Sequence, residues 1–327
     1  MNVKKILIFS ILILSTLITM SSNNWLSMWM GLEMNLMSFI PLIKMNKNKK
    51  TAQSMMIYFL TQSIGSIIML FAILMNSFIN YNIMEMIPQS LLTISLMIKM
   101  AGAPFHFWLP EMMTNMSWMN CFILMTWQKL APLTILSNII NNNILIFILS
   151  SAMVGAIGGL NLTSLRKIMA YSSINHLSWM MMMMVMEKTW YNYMLMYMII
   201  MAMLAIMLKE KNIYFTNQLI LHKMSTMEKI TISSLMMSMG GMPPFFGFIP
   251  KWLTIQNMTN SNMWMLMLFM ILLSLITLFY YIRMMYPSLL IFNTKIKWTN
   301  MKLKNNMATM MMSTNLLMPM IIMLPLF

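Results

Sequence analysis

The sequence predicts an all-α, polytopic membrane protein of about 11 transmembrane helices. Three observations carry that prediction. Of the 327 residues, 60% are hydrophobic and only 8% are charged, whereas an ordinary soluble domain carries about 25% charged residues. Apolar windows of about 20 residues, enough to span a bilayer, recur along almost the whole length. Residues 1–327 therefore read as a single transmembrane domain with no soluble domain of useful size. Finally, most lysines and arginines fall in short loops between these windows, nearly all on one side of the membrane.

In chain order the spans are expected at about 3–22, 25–43, 54–79, 87–108, 117–138, 144–163, 168–186, 190–208, 230–249, 262–285 and 307–326. The first, MNVKKILIFSILILSTLITM, has two lysines before an apolar run longer than a usual signal-peptide core. No small-x-small cleavage site follows, so it reads as a retained helix. The second carries Glu33 near its middle, in MGLEMNL, and the fourth reaches Lys99 and then breaks in GAPFHFWLP. The fifth, WMNCFILMTWQKLAPLTILSNII, has Lys129 at its centre and the only cysteine, Cys121. A lone cysteine in an apolar stretch reads as a small buried residue, with no disulfide framework or cysteine metal site. His176 lies in AYSSINHLSW of the seventh span, and Lys251 follows the GMPPFFGFIP segment of the ninth. Arg283, beside Tyr286 and Pro287 in the tenth, reads as an interface anchor. The 55 methionines, with MMMMM at 180–184, read as flexible apolar filler replacing leucine and isoleucine in a mutationally biased genome.

The eleven-span order sorts the charges. Lys4, Lys5, Lys44, Lys47, Lys49, Lys50, Arg166, Lys167, Lys209, Lys211, Lys223, Lys229, Lys295, Lys297, Lys302 and Lys304 fall on the amino-terminal side, and only Lys188 on the other. That asymmetry places the amino terminus on the positive side and the carboxyl terminus across the membrane. The net charge of +15 does not point to nucleic acid, because no basic folded module accompanies it. An Arg- and Ser-rich amphipathic lead is missing, so an organelle location implies synthesis inside that organelle.

GAPFHFWLP at 102–110 is echoed by GMPPFFGFIP at 241–250, and their final prolines, Pro110 and Pro250, are 140 residues apart. The two segments sit five spans apart, and an odd number of spans inverts one copy relative to the other. Two inverted five-helix repeats are expected, one over about 3–138 and one over about 144–285, followed by a carboxyl-terminal helix over about 307–326. Their broken helices lie near 99–110 and 238–251. Proline removes a backbone donor, which membrane helices tolerate where neighbours or water re-satisfy the freed carbonyls.

Glu33, Lys99, Lys129 and Lys251 then form one carboxylate and three ammonium groups within or beside spans. A charge at the bilayer centre costs about 2.5–3.5 kcal/mol on insertion scales, so such groups face the protein interior or a hydrated path. One carboxylate with several lysines is an acid–base chain, because burial favours the neutral amine and a nearby carboxylate favours the ammonium. His176, and His106 inside the first broken segment, are candidate proton carriers through their two ring nitrogens; the loop residue His222 is not. Structural alternatives are snorkelling of Lys99, a static Glu33–Lys99 ion pair, interface anchoring of Lys251 and plain packing of the two histidines. There is no Walker loop, GxGxxG, HExxH or catalytic triad, since aspartate is absent. The three histidines do not pair at suitable depths for haem.

MGLEMNLMSFIP, KMAGAPFHFWLPE, TWQKLAP, GGLNLTSLRKIMAYSSINH and GGMPPFFGFIPKW occur in order from about residue 24 to 285. Together they resemble the mitochondrially encoded subunit 2 family of animal NADH dehydrogenase, the smallest antiporter-like subunits of respiratory complex I. The resemblance implies an antiporter-like fold shortened at its start by three helices relative to bacterial relatives. It implies the mitochondrial inner membrane, with the amino terminus and basic loops in the matrix and the carboxyl terminus on the intermembrane-space side. The implied function is proton translocation coupled to electron transfer from NADH to ubiquinone. Glu33 is implied to pair with Lys99, Lys129 to be a central relay, and Lys251 to lie on the second broken helix. The complex uses NADH, FMN, iron–sulfur clusters and ubiquinone, with none bound by this chain. Implied partners are antiporter-like subunit 4, subunit 4L, accessory subunits and inner-membrane lipids. The tail beyond residue 286 matches poorly, and GAP stands where many relatives have AAP. A free-standing cation/proton antiporter and a non-catalytic membrane scaffold are the alternatives.

Overall fold

The structure, a computed structural model, describes residues 3–44, 48–78, 86–139, 144–186, 189–221, 224–290 and 306–323. Lys47, Lys188, Lys223, Lys295, Lys297, Lys302, Lys304 and His222 lie outside the described residues. Among those described, the helices are α1 Val3–Ser21, α2 Trp25–Lys44, α3 Lys49–Phe78, α4 Met86–Met100, α5 Trp108–Thr114, α6 Trp118–Met125, α7 Trp127–Ser137 and α8 Ile144–Ile157. They continue with α9 Leu165–Val185, α10 Trp190–Glu210, α11 Thr216–Leu221, α12 Thr226–Gly240, α13 Phe248–Asn260, α14 Trp264–Leu290 and α15 Asn306–Met323. An isolated bridge joins Ser164 to Phe215. A nearly all-helical chain is what a bilayer imposes, since each backbone N–H and C=O must find its partner inside the protein. Helices α1, α2, α3, α10 and α14 are long and apolar enough to cross a membrane, with α4 and α8 as shorter apolar helices.

The chain divides into a first unit, Met1–Ser151, and a second, Ala152–Phe327, with the division inside α8. In the first unit α1 packs on α2 through Leu12, Ser15, Thr16 and Thr19, a helical stripe of mainly small residues of the kind that lets membrane helices approach closely. Gly31 on α2 has no side chain, and Thr19 occupies that space. The hydroxyls of Ser15, Thr16 and Thr19 bond back to carbonyls three residues earlier at 2.7–2.8 Å, which explains how polar residues sit in an apolar helix. On the other face of α1, Leu7, Ile11, Leu14 and Ile18 are exposed.

Both expected breaks are present and are built alike. Helix α4 ends at Met100 and α5 begins at Trp108; α12 ends at Gly240 and α13 begins at Phe248. At the first, Ala101 is left-handed (φ 57°), Gly102 N–H bonds the Met97 carbonyl at 2.9 Å and Ala101 N–H bonds Ile98 at 3.3 Å. At the second, Gly241 is left-handed (φ 78°), Met242 N–H bonds Met237 at 3.2 Å and Gly241 N–H bonds Ser238 at 3.0 Å. Each is a Schellman closure, which satisfies terminal carbonyls by doubling the chain back. Each is followed by a cis peptide, Ala103–Pro104 or Pro243–Pro244. Left-handed residue, cis proline and helix restart all recur 140 positions apart.

Several span ends differ from the sequence reading. The fifth span is split at Thr126, whose backbone (φ −116°, ψ −73°) separates α6 from α7. The sixth stops at Ile157 rather than 163, because Gly158 and Gly159 end α8 and yield their side-chain space to the rings of Tyr171 and Tyr280. The third starts five residues early, at Lys49, and α11 was not anticipated; its six residues are far too few to span a membrane. In the second unit α9 is the core helix, buried from Ser172 to Met184, with Met180, Met181 and Met182 fully enclosed. Cys121 is buried, its thiol directed at the Met113 carbonyl.

A Cβ on Gly247 would collide with the Ser238 carbonyl, a backbone atom that cannot move aside, whereas one on Gly240 would meet only Leu278 at 3.4 Å. Gly247→Ala is therefore expected to reduce membrane-inserted, protease-resistant protein roughly tenfold, and Gly240→Ala to leave it unchanged. Quantitative immunoblotting of membranes checks both.

Candidate functional site

In the first unit, α2, α3, α4 and α7 bring the sequence-identified groups together. Lys99 is on the last turn of α4 and 6% exposed, while Lys129 is on the first turn of α7 and 2% exposed. The stem of Lys99 runs along Gly65 of α3: a Cβ there would lie 3.0 Å from Lys99 Cγ. Gln62, one turn earlier, donates its side-chain amide to the Lys99 carbonyl at 3.1 Å. Trp108 of α5 donates its indole N–H to the Ile98 carbonyl at 3.1 Å. The end of α4 is thus held from two directions although the helix stops there.

Glu33, half-buried on α2, acts electrostatically on Lys99 and on Tyr58 of α3. Glu33 and Lys99 do not meet as an ion pair within 4.0 Å, and among the described residues no hydrogen-bond donor reaches the buried Glu33 Oε1. Between these charges runs a neutral polar bridge. Tyr58 donates its hydroxyl to Gln128 Oε1 at 3.1 Å, and Gln128 Nε2 donates to Asn35 Oδ1 at 3.0 Å. It ties α3, α7 and α2 beside Lys129. Pro132 has no N–H to offer the Gln128 carbonyl four residues back, so this turn of α7 also presents an acceptor. His106 sits in the first break with Nδ1 3.1 Å from the Pro104 carbonyl and its ring 4.1 Å from that of Phe107. A carbonyl can only accept, so Nδ1 donates there.

In the second unit Lys251, on the first turn of α13 and 4% exposed, donates from Nζ to the Gly240 carbonyl at 2.7 Å. That carbonyl belongs to the end of α12, the negative pole of the helix. Gly241 makes room: a Cβ would lie 2.6 Å from Lys251 Cδ and 2.9 Å from Nζ. The ring of Trp179 on α9 is 6.0 Å from the ammonium. One turn before Trp179, His176 Nδ1 is 2.9 Å from the Tyr193 hydroxyl, with the Tyr197 ring 4.9 Å away. Tyr280 and Tyr281 of α14 are buried, with ring centroids 4.7 Å apart.

Residues 22–277 match the family described as NADH:quinone oxidoreductase/Mrp antiporter, TM. NADH-ubiquinone oxidoreductase chain 2 of Anopheles gambiae is 45% identical over 315 residues, covering 94% of this chain and 91% of that one. The chain belongs to the NADH-ubiquinone oxidoreductase chain 2 family. Chain 2 of Locusta migratoria is 40% identical, covering 91% and 89%, and that of Hylobates lar 36%, covering 96% and 95%. A chain of respiratory complex I from Thermus thermophilus superimposes with a TM-score of 0.79 at 20% identity, over 86% of this chain and 70% of that one. A chain of the Mrp complex from Dietzia sp. gives 0.75 at 15% identity, over 84% and 58%. The fold of this chain is therefore antiporter-like.

Sequence reasoning missed Gln62, Gly65, Gln128 and Asn35. Their signal was present: carboxamides within apolar spans, and a glycine where nothing else in the helix breaks. Gln128→Leu strands the Tyr58 hydroxyl and Asn35 Oδ1 together, each at about 1–3 kcal/mol. It is expected to lower the Tm of the detergent-solubilised assembly more than Tyr58→Phe, which removes one bond; equal shifts would show that the bridge contributes nothing.

Proposed function

We propose that this chain is a proton-translocating membrane subunit of respiratory NADH-ubiquinone oxidoreductase, in which Glu33, Lys99, Lys129 and Lys251 accept and pass protons. The observation that supports this best is the placement of the lysines. Each is enclosed, and each lies at a helix end or beside a proline turn where backbone carbonyls are free of the helical ladder. Ionisable groups inside a membrane protein are costly and mark transport paths, and at Lys251 the freed Gly240 carbonyl gives the ammonium an oxygen. Because Glu33 and Lys99 stand apart, proton transfer between them runs through an intervening hydroxyl or water, while their mutual field couples the two charge states. His176, with a hydroxyl on one ring nitrogen, is a further carrier in the second unit, and His106 a carrier at the first break.

The same reading makes α4 with α5, α6 with α7, and α12 with α13 three interrupted spans, and α11 a connecting helix, giving eleven spans. The five-span offset between two breaks of matching backbone geometry supports two inverted repeats, about 3–138 and 144–285, followed by the helix near 307–326. The basic loops put the amino terminus on the matrix side of the mitochondrial inner membrane. Partners are the neighbouring subunit 4, subunit 4L, accessory subunits and lipid. The redox groups of the complex, FMN and iron–sulfur clusters, with NADH and ubiquinone, belong to other chains. Among the described residues, no three His, Cys, Asp or Glu side chains group as metal ligands.

Lys129→Met in the assembled enzyme is expected to lower coupled NADH-to-ubiquinone turnover and proton yield about tenfold or more, with NADH oxidation by an artificial acceptor within twofold of normal. Unchanged proton yield per electron would remove Lys129 from the path. Full activity in a Glu33→Leu, Lys99→Met double variant would reduce that pair to scaffolding. Transport by the chain alone in liposomes would mark a free-standing antiporter.

A further inference from the structure

The second unit holds a cavity of mixed polar and apolar lining that the proton path does not use. It has a volume of about 200 Å³ and is lined by Asn161, Thr163, Thr216, Asn217 and Arg283, with Leu162, Met284 and Pro287 as its apolar wall. Its frame is fixed by backbone pairing between two connections: Leu165 N–H bonds the Tyr214 carbonyl and Thr216 N–H the Thr163 carbonyl, both at 3.0 Å. Arg283 is exposed and reaches the Leu162 carbonyl only at a long 3.5 Å, so most of its five N–H donors point elsewhere. Among the described residues, no carboxylate lines the cavity.

Below Arg283 on the same face of α14 lie Phe279, Leu275, Leu272 and Leu268, each more than half exposed, and above it Tyr286. The intervals of three and four residues make one continuous stripe. A guanidinium with amide and hydroxyl donors at the head of an apolar stripe has the two-part chemistry of a phospholipid. The cavity is smaller than pockets that enclose a whole small molecule, about 300 Å³ or more, and fits a headgroup phosphate. Guanidinium binds phosphate oxygens through paired N–H donors. With no carboxylate to receive the cation of a zwitterionic headgroup, charge balance selects an anionic one.

We propose that this cavity binds the phosphate of an anionic phospholipid, with its acyl chains along the α14 stripe. Arg283 supplies the charge, and Asn161, Thr163, Thr216 and Asn217 supply orienting hydrogen bonds. The test uses the delipidated, assembled enzyme with a phosphatidylglycerol carrying a photoactivatable group near its head, followed by peptide mapping. Labelling is expected on peptides containing 161–163, 216–217 and 283–287, at least fivefold above a phosphatidylcholine probe with the same chains. Unlabelled phosphatidylglycerol should compete, and millimolar inorganic phosphate should not. Arg283→Gln should cut labelling about tenfold; if that variant does not assemble, the comparison of probes on the unaltered enzyme decides. Equal labelling by both lipids, no labelling of these peptides because a neighbouring protein covers them, or displacement by inorganic phosphate alone would each overturn the assignment.

Discussion

An ammonium group inside a membrane must be given oxygen, and a helix that stops inside a membrane must be given donors. The second break meets both demands with one contact, the 2.7 Å hydrogen bond from Lys251 Nζ to the carbonyl of Gly240. Much of the surrounding local geometry follows from it. Gly241 lacks a side chain because the lysine stem lies there, and the Schellman closure turns the chain so that α13 begins beside the end of α12. The negative pole of α12 faces the positive group. Remove the break and the lysine has only an intact helical ladder beside it, whose carbonyls are already occupied.

The first break shares this backbone but distributes the charge differently. Shifting by 140 positions places Met239 against Lys99 and Glu111 against Lys251, so the repeat lies in the turn and not in the titrating group. At the first break the lysine precedes the turn and its stem runs along Gly65 of another helix. In both cases a glycine provides the channel for four methylenes, once from the break itself and once from a neighbour. The backbone solution is the constant feature, and the position of the cation on it is the variable one.

That difference accounts for what was legible in the sequence. Glycine and proline bend the chain by local sterics, so both breaks, and their 140-residue spacing, could be read from GAPFHFWLP and GMPPFFGFIP. The charges stood out because so few occur among apolar residues. The polar bridge of Tyr58, Gln128 and Asn35 did not stand out, since it depends on which faces of α2, α3 and α7 meet, and near-uniform hydrophobicity erases the period that would reveal faces. The split at Thr126 was also hidden: it lies six residues before Pro132, further than a proline reaches directly. The end of α8 at Ile157 could have been drawn from Gly158 and Gly159, but a hydropathy window averages across them.

The separation of Glu33 from Lys99 bears on how a proton path can work. Two opposite charges in contact at about 4 Å attract by about 4 kcal/mol at an effective dielectric of 20, and each then resists the change of protonation that transport requires. Glu33 and Lys99 are not held in such a contact. The neutral bridge beside them suits this arrangement. Carboxamides hold α2, α3 and α7 in register without adding a charge that would pin either partner. A scaffold alone would gain by closing the ion pair, since a paired buried charge costs less than an unpaired one. On the proposed function, the open spacing of Glu33 and Lys99 is the arrangement a proton path calls for, because no contact pair has to be broken at each transfer.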